Sequence, residues 1–188
     1  MAKQQKPQRD PSTVVLSTHR ISYVHLKEPN AFEGKDPRYN CTFIIPENHP
    51  DIHKIKQAVQ FVFEQEKNGK LKGIKLTSPN FKNPLRDGDE KPENPEYAGC
   101  FFIKADSKNQ PLILDSDKQE MLDLDDIYSG AYARAELKFV AFDNVSKGIK
   151  CFLNSVMKTR DGERLGGFTA DPNAFDEEED ETEIDDLN

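Results

Sequence analysis

Residues 131–142, AYARAELKFVAF, alternate between two kinds of side chain along their whole length. The odd positions, from Ala131 to Ala141, are small or apolar, whereas the even positions include Tyr132, Arg134 and Lys138. Because successive side chains of a β-strand point to opposite faces, this pattern predicts a strand with one core face and one aromatic, largely basic face.

The next run of sequence repeats the same chemistry after a turn rich in Asp, Asn, Ser and Gly. It predicts a second strand and therefore a β-hairpin. The expected core face comprises Ile149, Cys151, Leu153 and Met157, and the expected outer face comprises Lys150, Phe152, Asn154, Val156 and Lys158.

The rest of the chain is also mostly β in pattern. Further strands are predicted over residues 14–26, 39–45 and 97–105, with a short one over 112–114. Apolar residues at helical spacing from Asp51 to Phe63 predict one amphipathic helix, which Asn68 and Gly69 end. About five strands, one inserted helix and long loops favour a mainly β, small and partly open barrel over a doubly wound sheet.

Negative charge is concentrated at the C-terminal end of the chain. Residues 171–188 hold ten carboxylates and no Lys or Arg. Without them the chain has 26 basic and 24 acidic residues, a formal charge of +2. We expect a flexible arm over residues 1–12, one folded domain over 13–168 and a disordered acidic tail over 169–188. The run expected to bind partners is Asp176, Glu177, Glu178, Glu179, Asp180 and Glu181.

Three cysteines, Cys41, Cys100 and Cys151, lie far apart in strand-like runs and form no C-x-x-C pair. This spacing predicts reduced, buried thiols and disfavours a zinc site. We find no signal peptide and no apolar stretch long enough to span a bilayer. The sequence therefore predicts a soluble, cytoplasmic protein that does not enter membranes.

The aromatic and basic strand faces have the composition that single-stranded nucleic acid requires, because bases stack on rings and Lys or Arg neutralises phosphates. An alternative is equally consistent with the pattern: the rings belong to the core and the lysines form a solvated rim. The candidate DNA-binding residues are Tyr132, Arg134, Lys138, Lys150, Phe152, Lys158, Phe102 and Lys104, with Phe81, Lys82 and Arg86 from the preceding loop.

Metal and catalytic alternatives are weaker. His49 and His53 are four residues apart near a helix start, which favours capping or surface roles because no third ligand accompanies them. Asp87, Asp89 and Glu90 could bind Mg²⁺ in a nuclease, although an acidic turn beside Gly88 is more typical of solvated surface. No cofactor is expected, and no nucleophile and base pair stands out. A protein-interaction module that acts through the acidic tail is the other alternative.

Several motifs in the order of this chain resemble the phage-encoded single-stranded-DNA-binding proteins of the OB-fold type. They are NPLRDGD at 83–89, YAGCFFIKA at 97–105, SGAYARAELKFVAFDN at 129–144 and KGIKCFLNSVMKTRDGERLGG at 147–167, followed by the acidic tail. The resemblance covers nearly the whole chain from Val14 onward. The tail departs from the pattern of several such proteins, which end in an aromatic residue after the acids. This chain ends in Leu187 and Asn188 instead, and its aromatic residue, Phe175, precedes the acids.

The resemblance implies a five-stranded OB barrel and sequence-tolerant coating of exposed single strands during phage DNA replication and recombination in a bacterial host cell. It implies no catalysis. It also implies that the acidic tail contacts replication partners. A tail freed from a cationic groove by DNA could recruit a DNA polymerase, helicase or recombinase, and a homodimer is left open. The residues within the matching motifs are Arg86, Phe102, Lys104, Tyr132, Arg134, Lys150 and Phe152.

Overall fold

The computed structural model describes residues 8–31 and 34–166. The acidic tail and most of the predicted N-terminal arm lie outside these described residues. The elements in chain order are β1 (Thr13–Val15), β2 (His19–Asn30), β3 (Arg38–Pro46), α1 (Pro50–Glu66), β4 (Leu85–Asp87), β5 (Cys100–Ser107), β6 (Leu112–Leu114), β7 (Tyr132–Asp143) and β8 (Lys147–Arg160), with short 3₁₀ turns at Gly88–Glu90, Pro95–Tyr97 and Leu124–Asp126.

Five strands close into a ring in the order β7, β2, β3, β5 and β8, because β8 pairs with both β5 and β7. The β5–β8 pairing is parallel and the other ring pairings are antiparallel. This confirms the predicted five-stranded OB-fold-like barrel with one inserted helix. Three short strands extend it: β1 pairs with β7, β4 with β5, and β6 with β8.

The barrel interior is filled by the predicted core face of β7. Ala133, Leu137 and Phe139 are buried, and the even positions between them are partly exposed or exposed. Helix α1 contributes Ile55 and further apolar side chains to the same core. Cys41 and Cys151 are buried free thiols, as predicted, and Cys100 is half-buried.

A β-bulge in β8 corrects the predicted face of its last residues. Glu136 pairs with Ser155 and Leu137 with Leu153, so Asn154 is left between two consecutive pairs. One extra residue reverses the in-out alternation beyond it. As a result Val156 is buried, whereas Met157 is not. The assignment of Met157 to the core and of Val156 to the outer face was therefore wrong.

The same shift corrects Lys158. This residue pairs with the buried Ala133 across the β7–β8 ladder. It therefore lies on the same face of β8 as the buried Val156, at the end of the barrel. Its ammonium lies 5.3 Å from the centroid of the Tyr128 ring and forms an ion pair with Asp161. Lys158 therefore does not share the outer face of Lys150 and Phe152.

A buried carboxylate fastens α1 to the barrel. Asp51 accepts hydrogen bonds from the Ser17 backbone N–H at 2.7 Å, from His19 Nε2 at 2.8 Å and from Lys54 Nζ at 2.7 Å. His49 caps the helix, since its Nδ1 accepts the Asp51 N–H at 3.1 Å. The segment between β1 and β2 is thereby tied to the first turn of α1.

The protonation states follow from these contacts. Burial alone would raise the pKa of Asp51, but the hydrogen bonds from Lys54, His19 and Ser17 outweigh it and lower that pKa to about 2. Burial lowers the pKa of His19 below its usual value, against the hydrogen bond to Asp51. At neutral pH the pair is therefore a carboxylate and a neutral imidazole that donates to it.

This network predicts how stability changes in acid. A depressed carboxyl pKa stabilises the fold above the unfolded pKa and loses that contribution as the pH falls towards about 2. Because Lys54 helps to lower the pKa of Asp51, Lys54→Ala should move this acid loss of stability to higher pH. Urea unfolding between pH 7 and pH 2.5 would measure it, with Lys56→Ala as the control. Identical acid profiles for the two variants would contradict the assignment.

Candidate nucleic-acid interface

An open groove of about 730 Å³ crosses the outer face of the barrel. Its floor is formed by β3, β5 and β8, whose residues at these positions alternate with buried core residues such as Cys41 and Ala105. Its two ends are the β2–β3 connection and the β7–β8 turn. The lining residues are Asn30, Gly34, Lys35, Asp36, Arg38, Asn40, Lys104, Asp106, Asn144 and Lys150.

The position of this groove has a known use in OB folds. Strands β2, β3, β5, β7 and β8 occupy the five places of the OB ring in chain order. In such barrels the face of the second and third strands, together with the loops joining strands 1–2 and 4–5, binds oligonucleotides and oligosaccharides. The groove here lies between those two loops.

The groove is electropositive despite the acidity of the whole chain. Lys35, Arg38, Lys104 and Lys150 line it, against two acidic residues. One of these, Asp106, accepts a hydrogen bond from Arg38 Nη1 at 3.0 Å and so orients the guanidinium. The Lys104 side chain is exposed. Cations spaced along a groove in this way suit the phosphates of a nucleic-acid backbone.

Aromatic rings lie beside these cations. Phe152 pairs with Asp106 on one side and with Lys138 on the other, and the Lys150 ammonium is 4.7 Å from its ring centroid. Phe152 is half-buried, so part of its ring remains exposed. Phe152 borders the groove, because it pairs with Asp106 and follows Lys150 by two residues on the same strand, and both of those residues line the groove.

Strand β2 carries two rings that the sequence pattern missed, Tyr23 and His25. Its pairing with β3 shifts register between Ser22 and His25, and Tyr23 there has a φ of 47°. The Tyr23 ring is 53% exposed and its hydroxyl donates to Asn94 at 2.8 Å. His25 pairs with Asn40, a residue of the groove lining, across the β2–β3 ladder. Burial, followed by the nearby charge of Lys104, lowers the pKa of His25. Only the β2–β3 pairing brings His25 to the groove, whereas Tyr23 contacts the loop before β5.

Phe102 and Arg86 form part of a second apolar cluster, which lies on the outer face of the barrel. Tyr97 packs on Phe102 with ring centroids 5.1 Å apart, and both rings are buried. The Arg86 guanidinium lies 5.2 Å from the Phe102 ring and also pairs with Glu90. Phe102 is therefore covered, and of this pair only Arg86 is exposed for contact with a ligand.

Phe81 belongs to the main core. It is buried and packs edge-on against Phe63 at 5.9 Å, so the expectation that it folds over a DNA strand does not fit its burial. The Lys82 side chain is exposed. The Lys82 backbone bonds to Lys147 and Ile149, which fixes this loop against the base of the β7–β8 hairpin.

The outer residues of β7 are engaged elsewhere. Arg134 Nε donates to the Leu16 carbonyl at 3.1 Å, and Lys138 forms an ion pair with Asp10. The Tyr132 ring lies beneath the Arg160 guanidinium, 3.6 Å from the ring centroid. The structure thus divides the predicted set. Lys104 and Lys150 line the groove, and Phe152 borders it through its pairing with Asp106. Lys138 pairs with Phe152 on the side away from Asp106, and Tyr132 and Arg134 do not line the groove.

Among the described residues, His19, His49 and Asp51 form a group of metal-ligand type, with donor atoms within 4.8 Å of one another. The sequence pattern missed this group because His19 lies far from the other two in the chain. Their atoms are already used: His19 donates to Asp51, His49 accepts the helix N–H, and Lys54 binds the second carboxylate oxygen. An ammonium in that position opposes a cation, so the group is better explained as a structural network.

The acidic turn proposed for Mg²⁺ is likewise engaged in local contacts. Asp87 accepts the Asp89 N–H at 2.9 Å, Asp89 accepts the Gly99 N–H at 3.3 Å, and Glu90 pairs with Arg86. These contacts order a 3₁₀ turn. Separately, no helix within the described residues is long and apolar enough to cross a membrane.

The ring order and the groove define an OB-fold protein with an oligonucleotide-type binding face. Residues 12–185 match the family described as Enterobacter phage Enc34, ssDNA-binding protein, and the chain belongs to this family. The resemblance stated from the sequence motifs is thereby confirmed.

Individual relatives agree with this assignment. A putative protein p50 of Acyrthosiphon pisum secondary endosymbiont phage 1 is 33% identical over 172 residues, which cover 87% of this chain and 92% of that protein. The single-stranded DNA-binding protein of bacteriophage Enc34, solved in complex with ssDNA, superposes with a TM-score of 0.74 at 26% identity, covering 88% of this chain and all of that one.

A more distant likeness concerns the fold alone. The single-stranded DNA-binding protein gp2.5 of bacteriophage T7 has a TM-score of 0.62 at 16% identity, with 90% of this chain and 96% of that chain covered.

Proposed function

We propose that this protein binds single-stranded DNA in the groove between the β2–β3 connection and the β7–β8 turn. The proposal rests on four cations that line the groove, Lys35, Arg38, Lys104 and Lys150, and on the half-buried Phe152, which pairs with the groove residue Asp106. Membership of the Enc34 family, and the complex of the Enc34 protein with ssDNA, support it.

The geometry favours single strands bound with little sequence preference. Unpaired bases can stack on an exposed ring, here Phe152, while lysines follow the backbone. The protein then coats exposed strands during phage DNA replication and recombination without performing catalysis. The engaged carboxylates of the Asp87–Asp89 turn make the nuclease alternative the weaker one.

The acidic tail adds regulation to this proposal. A tethered polyanion has a high effective concentration near a cationic groove, so residues 171–188 compete with DNA for it. DNA displaces the tail, which then recruits a polymerase, helicase or recombinase. The opposite charges of the groove and of the tail support this order of events.

The groove assignment is tested by salt-dependent binding. Lys104→Ala should weaken binding of labelled oligo-dT and lower the slope of log K against log salt by about 0.7, the value for one phosphate of a single strand. Lys67→Ala, at the end of α1 and outside the groove, should leave the slope unchanged. Fluorescence anisotropy with EDTA present measures both. Equal slopes for the two variants, or tighter binding of duplex than of single strand, would refute the groove.

A second prediction concerns stacking. Phe152→Leu keeps an apolar side chain but removes the ring, and it should cost about 1 to 3 kcal/mol of oligo-dT binding if a base stacks there. Urea unfolding of the same variant is the control for folding. A loss of stability with unchanged DNA affinity would assign the ring to the barrel core instead.

A third prediction concerns the tail. A protein that ends at Ala170, and so lacks residues 171–188, should bind oligo-dT more tightly than the full chain, because the competing polyanion has been removed. The difference should shrink at higher salt, since exposed charges are screened over about 8 Å at physiological ionic strength. Titrations at several salt concentrations measure it. The same affinity for both proteins at low salt would exclude competition.

A further inference from the structure

A second groove, of about 790 Å³, separates α1 from the chain segment that leads into β1. We name it the α1–β1 groove. Strand β1 is the terminal strand of the sheet order, so this groove borders the open edge of the sheet. Its lining residues are Arg9, Pro11, Thr13, Val14, Val15, His53, Lys54, Lys56, Gln57, Ala58, Gln60 and Phe61.

The chemistry of the α1–β1 groove is cationic and apolar together. Arg9, Lys54 and Lys56 line it, and none of the described residues lining it is acidic. Beneath the cations lie Val14 and Ala58, with the Phe61 ring 36% exposed. A groove of this kind suits an anionic segment that also carries one large apolar side chain.

The two grooves are separate surfaces. The α1–β1 groove is built from α1 and the N-terminal segment, whereas the nucleic-acid groove is built from β3, β5, β8 and two loops. They share no lining residue. A ligand can therefore occupy one groove while DNA occupies the other.

The chain itself contains a segment with the required chemistry. Phe175 is followed directly by six consecutive acids, 176–181, and it is the sole aromatic residue among the last eighteen. The described chain also ends near the start of α1: Arg20 Nη2 donates to the Glu163 carbonyl at 2.7 Å, and the adjacent His19 contacts Asp51 in the first turn of that helix. The eight residues between Gly166 and Phe175 can extend about 27 Å.

We propose that the α1–β1 groove holds segment 175–181 of the same chain when DNA fills the nucleic-acid groove. Phe175 packs on the apolar floor beside Phe61, and the carboxylates face Arg9 and Lys56. This inference rests on the proposed function, because DNA is what releases the tail from the nucleic-acid groove. Docking keeps the polyanion away from the bound strand and leaves the residues after 181 available to a partner.

The full chain offers a direct probe, because it contains no tryptophan. Phe175→Trp therefore introduces a single indole at the proposed anchor. With saturating oligo-dT, its emission should shift to the blue and its acrylamide quenching should fall severalfold relative to the same residue in a free peptide of residues 171–188. Anisotropy of labelled oligo-dT in the same samples reports DNA binding independently.

Charge reversal identifies the docking surface. In the Phe175→Trp background, Lys56→Glu with Gln60→Glu places repulsive charge along the α1–β1 groove, so the indole should become exposed. Lys67→Glu with Gln65→Glu is the matched control. It makes the same change in charge in the last turn of α1 and at its C-cap, at positions that do not line the groove. The control should keep the indole protected.

Each other outcome overturns the inference. An indole that is exposed in the DNA-bound protein, with Lys56 and Gln60 unchanged, refutes docking. An indole that stays protected after Lys56→Glu with Gln60→Glu is buried at another site, for example against the DNA. Protection that weakens on dilution assigns the groove to the tail of a second copy. If oligo-dT does not bind, the proposed function fails. An indole that is protected through Lys56 and Gln60 without DNA would show that the tail docks in the α1–β1 groove independently of DNA, which overturns the proposed DNA-dependent order.

Discussion

The closure of the barrel by the β7–β8 ladder is the constraint on which the rest of the structure depends. This long antiparallel pairing joins β7, which contacts β2, to β8, which contacts β5. Without it the sheet would have two open edges and no shared interior. Closure buries Leu137 and Phe139 in the shared interior. It also places the β7–β8 turn opposite the β2–β3 connection, and these two loops are the ends of the nucleic-acid groove.

The bulge at Asn154 shows how a local irregularity divides a uniform sequence pattern. Before it, Lys150 and Phe152 lie on the outer face near the groove; after it, Val156 enters the core and Lys158 turns towards Tyr128. Two lysines of the same strand, Lys150 and Lys158, therefore lie in different parts of the molecule. Charge is separated in a similar way along the chain, since the folded part carries cationic grooves and the C-terminal end carries the acids.

Helix α1 connects these features physically. Its first turn is held by the buried Asp51, which gathers hydrogen bonds from Ser17, His19 and Lys54. The helix then packs its apolar side on the barrel and leaves a cationic side towards β1. Because Asp51 anchors α1, it also fixes the position of the α1 side of the α1–β1 groove.

The sequence by itself determined the mainly β class, the core face of β7 and the presence of one helix, because period-2 and helical alternation are local properties of neighbouring residues. It also pointed to Lys104, Lys150 and Phe152. Only the tertiary structure buried Phe81 and Phe102, brought Arg38 into the groove and paired His25 with the groove residue Asn40. The physical reason is that register, bulges and ring closure are set by contacts between strands distant in the chain, which alternation within one strand does not encode.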